Sequence, residues 1–410
     1  MSLNPFVWTD ALSDPSQVIG RDEFAERAAL RLKAKTNIAL FGPRGTGKTS
    51  FTVKLINELA KQHGPDAPAF DAVYVNLQRA SSIPAFISAV RHAIDNHPSQ
   101  DLRRIARAEV SAVEKELKIN LGVVQAGIRG KGQTTPQENE QLLFAQLLVL
   151  RRMSDRMVIV FDEFQRLNRC PGDPLTIIRD ALTGIEADNV SMVFTGSIRE
   201  ALEMMLRSSA EPLYQQAVEM ALPDIDRAEF FNFLSLSFEA TSKPASDAAV
   251  DFILNTTDAH PKRTQQLAWQ VWEEARPGER IEVLAVERAL EPALMMAGIR
   301  DQFDALTADD ENLGRMLDAI VASDGAGATS RPLLQRLGLS GAATAARTLD
   351  KLRRLGFIER VPDARGRYRI ADPFLVEWLR RTSPFAAHPI GPFSAAPELP
   401  PRQPDPPAGD

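Results

Sequence analysis

The stretch Leu40–Ser50, LFGPRGTGKTS, decides the fold of this chain. Gly42, Gly47, Lys48 and Thr49 fit the pattern G-x-x-x-x-G-K-[ST], the Walker A motif, without a mismatch. A short apolar run precedes the loop, and a helical pattern of apolar residues follows it. In this strand–loop–helix order, glycines let backbone N–H groups converge on phosphate oxygens, and the helix N-terminus adds its positive end. We therefore predict a phosphate-binding loop.

The loop assigns separate roles to its residues. Lys48 is expected to reach the β- and γ-phosphates of ATP, and the Thr49 hydroxyl is expected to bind Mg²⁺. A glycine-rich turn with a chance lysine is the alternative, but the strand before the loop and the helix after it favour the nucleotide site. The predicted nucleotide contacts are Gly42, Pro43, Arg44, Gly45, Thr46, Gly47, Lys48, Thr49 and Ser50.

A second apolar run, Met157–Asp162 (MVIVFD), ends in the adjacent carboxylates Asp162 and Glu163, as a Walker B motif does. Asp162 is predicted to hold Mg²⁺ through its water shell, and Glu163 to orient and deprotonate an attacking water. A strand that ends in solvent-exposed acids is the alternative. The segment VFTGS adds Thr195 and Ser197, which either probe the γ-phosphate or cap the end of their strand.

Short apolar strands alternate with helical patterns in the first half of the chain. This alternation predicts an α/β fold with a parallel sheet covered on both faces. The predicted strands are residues 37–41, 72–77, 157–162 and 191–196. The predicted domains are an ATPase core at 1–225 with an insertion at 101–140, a helical lid at 226–308, a winged helix-turn-helix at 309–382 and a disordered tail at 383–410.

The C-terminal third shows a helix–helix–helix–hairpin order, which is typical of a winged helix-turn-helix. Residues 330–370 carry ten basic and three acidic side chains, a net charge of +7 in a chain of net charge −6. Such local asymmetry predicts contact with duplex DNA, although winged helices also dock proteins. The predicted nucleic-acid contacts are Thr344, Arg347, Thr348, Lys351, Arg365 and Arg367. In one helix with a predicted buried stripe of Ala345, Leu349 and Leu352, we expect Thr344, Thr348 and Lys351 on another face, with Arg347 near it.

Composition limits the remaining classes of protein. The net charge of −6 excludes a generic polycation, so a nucleic-acid site must be a local patch. The single cysteine, Cys170, forms no intrachain disulfide and favours a cytoplasmic location. Five histidines and one cysteine argue against structural zinc, no apolar run predicts a membrane span, and the first residues lack a signal-peptide pattern. Nine prolines among the last 27 residues predict the disordered tail.

Taken in order, these motifs resemble the AAA+ and STAND class of P-loop ATPases, and in particular the archaeal-type ATPases related to origin-recognition initiators. The resemblance covers most of residues 16–382 and implies ATP and Mg²⁺ as ligands, a lid and a C-terminal winged helix. The segments that carry it are VIGRDEF, the phosphate loop, FDEFQRL, VFTGS, PLY, LDKLRRLGFIERV and YRIADPFLVEWLRR.

Two departures from the family pattern affect its arginines. Family members often carry Gly-Arg after PLY, whereas this chain has Gln215 and Gln216. An arginine that would contact a neighbouring subunit's nucleotide is therefore absent there, and Arg199 or Arg207 either substitutes for it or is a solvated helix residue.

The second departure lies before the lid helix. The family's Gly-His-Pro or Gly-Asn-Pro is replaced by Ala-His-Pro, in which His260 is interpreted as a packing or capping residue. By resemblance, Arg263 is the residue that senses nucleotide from the lid.

The predicted function is that of an ATPase whose nucleotide state gates DNA or partner binding through the winged helix, with a nucleotide-dependent oligomer as one form. The alternative is a slow nucleotide-dependent switch or scaffold whose winged helix docks a protein. A nucleic-acid binder with a vestigial ATP site is disfavoured by the intact Lys48, Thr49, Asp162 and Glu163.

Overall fold

The computed structural model describes most of the chain, namely residues 3–12, 14–61, 70–120, 135–184, 187–339, 341–361, 364 and 366–385. The chain divides into two compact units, Met1–Ala289 and Leu290–Asp410. Residues 101–120 of the predicted insertion are helical, whereas its predicted loop at 121–134 lies outside the described residues. Most of the predicted disordered tail, from residue 386 onwards, lies outside them as well.

The first unit is built on a five-stranded parallel sheet with the order β2-β3-β4-β1-β5. Its strands are β1 (Ile38–Phe41), β2 (Asp71–Asn76), β3 (Met157–Asp162), β4 (Val190–Gly196) and β5 (Val218–Ala221). The first four confirm the predicted strands to within one residue at each end. β5 is an edge strand with one fully buried side chain, Met220, so its sequence lacks the continuous apolar run that marks the inner strands.

Helices cover both faces of the sheet, which confirms the predicted α/β fold. Every residue of β1, β3 and β4 is buried, as parallel strands covered on two sides require. One apolar cluster, with Phe86, Phe161 and Phe194, lies beneath the helices of residues 83–95, 136–152 and 174–182. The other, with Phe24 and Phe51, lies beneath the helices of residues 22–33 and 48–61. The helices of this unit are α1 (Asp22–Lys33), α2 (Lys48–Lys61), α3 (Ile83–Asp95), α4 (Gln100–Asn120), α5 (Pro136–Arg152), α6 (Pro174–Leu182), α7 (Arg199–Arg207), α8 (Arg227–Ala240), α9 (Asp247–Thr256) and α10 (Pro261–Glu274), followed by α11 (Val283–Met296), which contains the division between the units.

The strand register brings the polar motifs to one edge of the sheet. Leu40 of β1 pairs with Thr195 of β4, and Phe161 of β3 pairs with Phe194 of β4. Because all strands are parallel, the phosphate loop after β1, the acids at the end of β3 and the hydroxyls at the end of β4 share the carboxyl edge. This is the edge at which parallel α/β sheets bind ligands.

The second unit contains helices and one small antiparallel sheet. Its elements are α12 (Ile299–Thr307), α13 (Glu311–Ala322), α14 (Arg331–Arg336), α15 (Ala342–Arg354), β6 (Ile358–Arg360), β7 (Tyr368–Ile370) and α16 (Pro373–Thr382). β6 and β7 form the predicted hairpin, and Ala326 pairs with Arg367 in an isolated antiparallel bridge. The predicted buried stripe of α15, Ala345, Leu349 and Leu352, is buried. Among the described helices of both units, none is long and apolar enough to cross a bilayer.

Candidate nucleotide site

The phosphate loop runs from the end of β1 to the start of α2. Gly45 and Gly47 adopt φ angles of 84° and 86°, in the left-handed region that favours glycine. The Thr46 hydroxyl donates to the Pro43 carbonyl oxygen at 2.8 Å and closes the loop on itself. The sequence pattern and the observed backbone agree, because the conformation of the loop requires glycine at both positions.

Lys48 is buried at the start of α2. Its Nζ donates to the Gly42 carbonyl oxygen at 2.7 Å and to the Pro43 carbonyl oxygen at 2.9 Å. Burial lowers the pKa of Lys48 to about 8, while the carboxylates of Glu163 and Asp162 oppose that shift. The cation therefore lies inside the curve of the loop, where the phosphates of a nucleotide are expected.

Asp162 is the centre of a hydroxyl cluster. Its Oδ2 accepts a hydrogen bond from the Thr49 hydroxyl at 3.0 Å and another from the Tyr74 hydroxyl. Its Oδ1 accepts from the Thr195 hydroxyl and from the Glu163 backbone N–H, at 3.1 Å for the latter. Thr49, Asp162 and Thr195, predicted from three separate motifs, are thus brought together. Sequence reasoning missed Tyr74, because a tyrosine in a strand is more often simply packed.

The donor set at this position fits Mg²⁺. Mg²⁺ in phosphate-transfer sites is held by one or two protein oxygens together with substrate phosphates and water, not by a cage of carboxylates. Thr49 and Asp162 provide one hydroxyl and one carboxylate in contact with each other. Among the described residues no group of three or more His, Cys, Asp or Glu side chains forms a separate metal site.

Glu163 has a conformation and a hydrogen-bond shell of its own. Its φ of 57° places it in the left-handed region and turns the chain away from β3 at once. Its Oε2 accepts from Gln165 Nε2 at 2.5 Å and from the Ser197 hydroxyl at 3.0 Å. Ser197 therefore contacts Glu163 while Thr195 contacts Asp162, so the two hydroxyl residues at the carboxyl end of β4 contact different acids. Gln165, which follows Glu163 by two residues, was not singled out from the sequence.

The start of α10 lies directly on the phosphate loop. His260 caps this helix by accepting from the Arg263 N–H at 3.4 Å, and its other ring nitrogen lies 3.0 Å from the Arg44 carbonyl oxygen. The Lys262 N–H donates to the Gly45 carbonyl oxygen at 3.2 Å. The interpretation of His260 as a capping residue is confirmed, and the cap also joins α10 to the loop.

The structure separates two adjacent cations of α10. Lys262 lines the pocket together with Pro261 and Gln265. Arg263, the predicted sensor, is only 6% exposed, and its Nη1 donates to Gln266 Oε1 at 2.6 Å. Lys262, the residue before the predicted Arg263, therefore lines the pocket.

The opposite wall comes from the N-terminal segment, which the sequence did not associate with the site. Residues 7–12 line the pocket, and the Leu12 N–H donates to the Ser50 hydroxyl at 3.0 Å. The ring of Phe6 is buried 4.7 Å from that of Phe238, centroid to centroid, and the Val7 N–H donates to Gln265 Oε1 at 3.3 Å. This segment consequently contacts α8, α10 and α2, the last of which follows the phosphate loop.

Arg21 is a further pocket residue. It has a φ of 67° at the N-cap of α1, and its guanidinium donates to the Thr46 carbonyl oxygen at 2.9 Å and to the Pro223 carbonyl oxygen at 2.8 Å. Burial lowers the pKa of Arg21 to about 10, against the opposing charge of Asp224. The segment VIGRDEF, which contains Arg21, contributes to the family resemblance, but the sequence pattern alone assigns no role to this arginine.

The two candidate substitutes for the missing arginine lie in α7 and form exposed ion pairs. Arg199 pairs with Glu203 at 2.8 Å and lies 5.5 Å from the centre of the Phe41 ring, and Arg207 pairs with Glu219. Their role at a neighbouring subunit stays a prediction.

The predicted nucleic-acid residues belong to the second unit. Thr344, Arg347 and Lys351 lie on α15 outside its buried stripe, and Lys351 pairs with Asp310 at 3.1 Å. The prediction that Thr348 lies on a face apart from the buried stripe is wrong, because Thr348 is 5% exposed and its hydroxyl donates to the Thr344 carbonyl oxygen at 2.9 Å. In the hairpin, Arg367 pairs with Asp324, whereas Arg365 lies outside the described residues.

The five-stranded parallel sheet, with the phosphate loop between β1 and α2 at its carboxyl edge, is a P-loop nucleoside triphosphatase fold. Residues 31–205 match the family described as an AAA domain, a segment that contains the phosphate loop and both acids. Among curated proteins, none matches the sequence. The similarity to this family therefore covers the segment that holds the phosphate loop, Asp162 and Glu163.

Solved structures similar to this chain are distant in sequence. A Walker-type ATPase of Pyrococcus abyssi aligns with a TM-score of 0.64 at 16% identity, over 91% of this chain and 99% of that one. The ORC2 protein of Aeropyrum pernix, solved as ADPNP–ADP complexes, aligns with a TM-score of 0.56 at 16% identity, over 90% of this chain and 95% of its own. At such identities the likeness extends to the fold alone.

Proposed function

We propose that this protein binds ATP with Mg²⁺ and hydrolyses it at the carboxyl edge of the sheet. The observation that carries this proposal is the convergence of Lys48, Thr49, Asp162 and Glu163 at the ends of β1 and β3. Lys48 neutralises the β- and γ-phosphates, and Thr49 and Asp162 hold the ion, which supplies charge neutralisation on the phosphates.

Glu163 is the proposed general base. A base must lie within hydrogen-bond reach of the water that it activates, and its carboxylate must stay accessible. Glu163 lines the pocket, and both donors to its side chain, Gln165 and Ser197, bind the same oxygen, Oε2. Its Oε1 is then the atom proposed to accept the proton, while the hydroxyls of Thr195 and Ser197 are proposed to hold the Asp162 and Glu163 carboxylates at the γ-phosphate end of the site.

The test is nucleotide binding and phosphate release by the full chain and by Lys48→Ala. Wild type is expected to bind ATP with Mg²⁺ and to release phosphate, and Lys48→Ala to lose about 100-fold or more in affinity, since a buried cation is removed from the phosphates. Lys61→Ala, at the other end of the same helix, is the matched control and should keep wild-type affinity. Equal ATP affinities of Lys48→Ala and Lys61→Ala would contradict the assignment of the nucleotide site to the phosphate loop.

We further propose that the nucleotide state gates contact with duplex DNA or a partner through a winged helix at 309–382, with 1–225 as the ATPase core and 226–308 as the lid. The order α13, α14, α15 and hairpin supports the winged helix. The hydrogen bonds of His260 and Lys262 to the loop support a lid that responds to nucleotide. Arg347 and Arg367 are the proposed phosphate-contacting residues, and Arg263 and Lys262 the proposed lid cations.

A second function, a slow nucleotide-dependent switch that docks a protein, is favoured by the ion pairs of the basic segment. Five basic residues between 330 and 370 are paired with carboxylates, which reduces the charge available to DNA phosphates. They are Lys351, Arg353, Arg354, Arg367 and Arg369. Salt-dependent duplex DNA affinity separates the two functions.

A further inference from the structure

The Asp162 carboxylate is held by hydroxyl groups from three different elements. Thr49 comes from α2, Tyr74 from β2 and Thr195 from β4. Thr49 and Tyr74 donate to the same oxygen, Oδ2, and Thr195 donates to Oδ1. A carboxylate bound in this way has one preferred orientation, because each donor is fixed to a separate part of the fold.

The register of the sheet explains how Tyr74 reaches this carboxylate. Asn76 of β2 pairs with Asp162, and Tyr74, two residues earlier, pairs with Val160. Residues two apart in a strand point to the same face of the sheet, so the long phenol extends along that face toward Asp162. Its ring packs against the apolar cluster beneath α1 and α2, which limits its movement.

The hydroxyls of Tyr74 and Thr49 differ in whether they have a second role in the proposed site. Thr49 is the proposed Mg²⁺ ligand, so its hydroxyl has a second partner when the ion is bound. Tyr74 lies in β2, outside the motifs that contact nucleotide, and no part of the proposed chemistry requires its hydroxyl elsewhere. The hydrogen bond from Tyr74 to Asp162 Oδ2 can therefore persist both with and without bound Mg²⁺.

We propose that Tyr74 is a positioning residue for Mg²⁺, whose hydroxyl fixes the Asp162 carboxylate in the orientation that receives the ion. This inference rests on the proposed function, because it presupposes a nucleotide–Mg²⁺ complex at Thr49 and Asp162. A tyrosine that merely satisfies its hydroxyl with a nearby acceptor would affect folding stability, and it would leave the Mg²⁺ requirement unchanged.

The experiment compares full-chain wild type with Tyr74→Phe. The affinity for a fluorescent ADP analogue is measured across a Mg²⁺ titration and again in excess EDTA. Loss of a group that orients a metal ligand typically costs 10- to 100-fold in metal affinity. The Mg²⁺ midpoint of Tyr74→Phe is therefore expected to rise about tenfold, with the affinity in EDTA unchanged. Tyr214→Phe removes the hydroxyl of an exposed tyrosine and should behave as wild type.

A second measurement reads the ion directly. Mn²⁺ binding in the presence of ADP, followed by electron paramagnetic resonance, should weaken in Tyr74→Phe by a similar factor, whatever happens to the melting temperature. Equal Mg²⁺ midpoints for wild type and Tyr74→Phe would overturn the role of Tyr74 alone. Equal losses of affinity with and without Mg²⁺ would also overturn it. If wild type shows no Mg²⁺-dependent nucleotide binding, the proposed function is contradicted, and with it the role of Tyr74 that depends on it.

Discussion

Carboxylates in the two units are held in contrasting ways. In the unit Met1–Ala289, Asp162 is buried and accepts hydrogen bonds from three side-chain hydroxyls and one backbone N–H. In the unit Leu290–Asp410, Asp310 and Asp350 are partly exposed and pair with the basic side chains Lys351, Arg353 and Arg354. Buried polar clusters with fixed donors specify one geometry, whereas exposed ion pairs contribute little and exchange readily with solvent or an anionic ligand. The first arrangement suits catalysis, and the second suits a surface that exchanges partners.

The largest effect is expected at Glu163. Glu163→Gln keeps the shape of the side chain and loses the basic oxygen, so ATP turnover should fall about 100-fold or more while ATP affinity changes little. Steady-state phosphate release and equilibrium nucleotide binding check this. Glu26→Gln, an exposed residue of α1, is the control. Unchanged turnover in Glu163→Gln would remove its role as base and favour the slow switch.

The exposed ion pairs are tested by the salt dependence of DNA binding. Arg347→Ala combined with Arg367→Ala should weaken duplex DNA binding by the full chain about tenfold and flatten the plot of log affinity against log salt by about two units. Arg300→Ala, an exposed arginine of the same unit paired with Asp304, is the matched control for a lost charge. Absence of salt-dependent DNA affinity in wild type would favour protein docking.

The local motifs of the first unit could be predicted because each carries its own geometry. The glycine spacing fixed the loop, and the apolar run ending at Asp162 fixed a strand and its acids. What the sequence did not reveal depends on contacts between distant segments. Tyr74 reaches Asp162 through the register of β2 on β3, and Arg21 reaches Thr46 across 25 residues.

The helical periodicity of α15 gave its buried stripe but misplaced Thr348. Thr348 lies three residues after Ala345 and four residues before Leu352, so it lies at the border of that stripe, where its hydroxyl bonds back to the Thr344 carbonyl oxygen and is buried. Lys262 and Arg263 are adjacent at the start of α10 and point in different directions, and the sequence carries no signal that assigns the pocket to one of them.

A smaller effect is expected for the two adjacent cations of α10, Lys262 and Arg263. Lys262 lines the pocket, so Lys262→Ala should weaken ATP binding about fivefold with little change in melting temperature, as for a partly solvated charge near phosphate. Arg263 is buried against Gln266, so Arg263→Ala should chiefly lower the melting temperature. Affinity and thermal unfolding measured on both variants separate the two. The reverse pattern would restore Arg263 as the nucleotide sensor.

The smallest effect concerns a carboxylate that lacks the donors of Asp162. Asp318 lies on α13, and its Oδ1 is buried without a hydrogen-bond partner in the described part of the chain. Burial raises the pKa of Asp318 above its ordinary value of 3.8, although a hydrogen bond from Ser383 opposes the shift. The folded chain therefore holds the proton more tightly than the unfolded chain, and stability declines as pH rises from 3.8 through the folded pKa.

Asp318→Asn removes this charge, so its melting temperature at pH 7 should exceed that of wild type by about 2 °C. The difference should shrink as the pH falls through the raised pKa of Asp318, because wild-type Asp318 takes up its proton there. Asp301→Asn, an exposed carboxylate of α12, is the control. Melting curves of Asp318→Asn and wild type that stay parallel at all pH values would show that the Asp318 charge is solvated, as the exposed acids of this unit are.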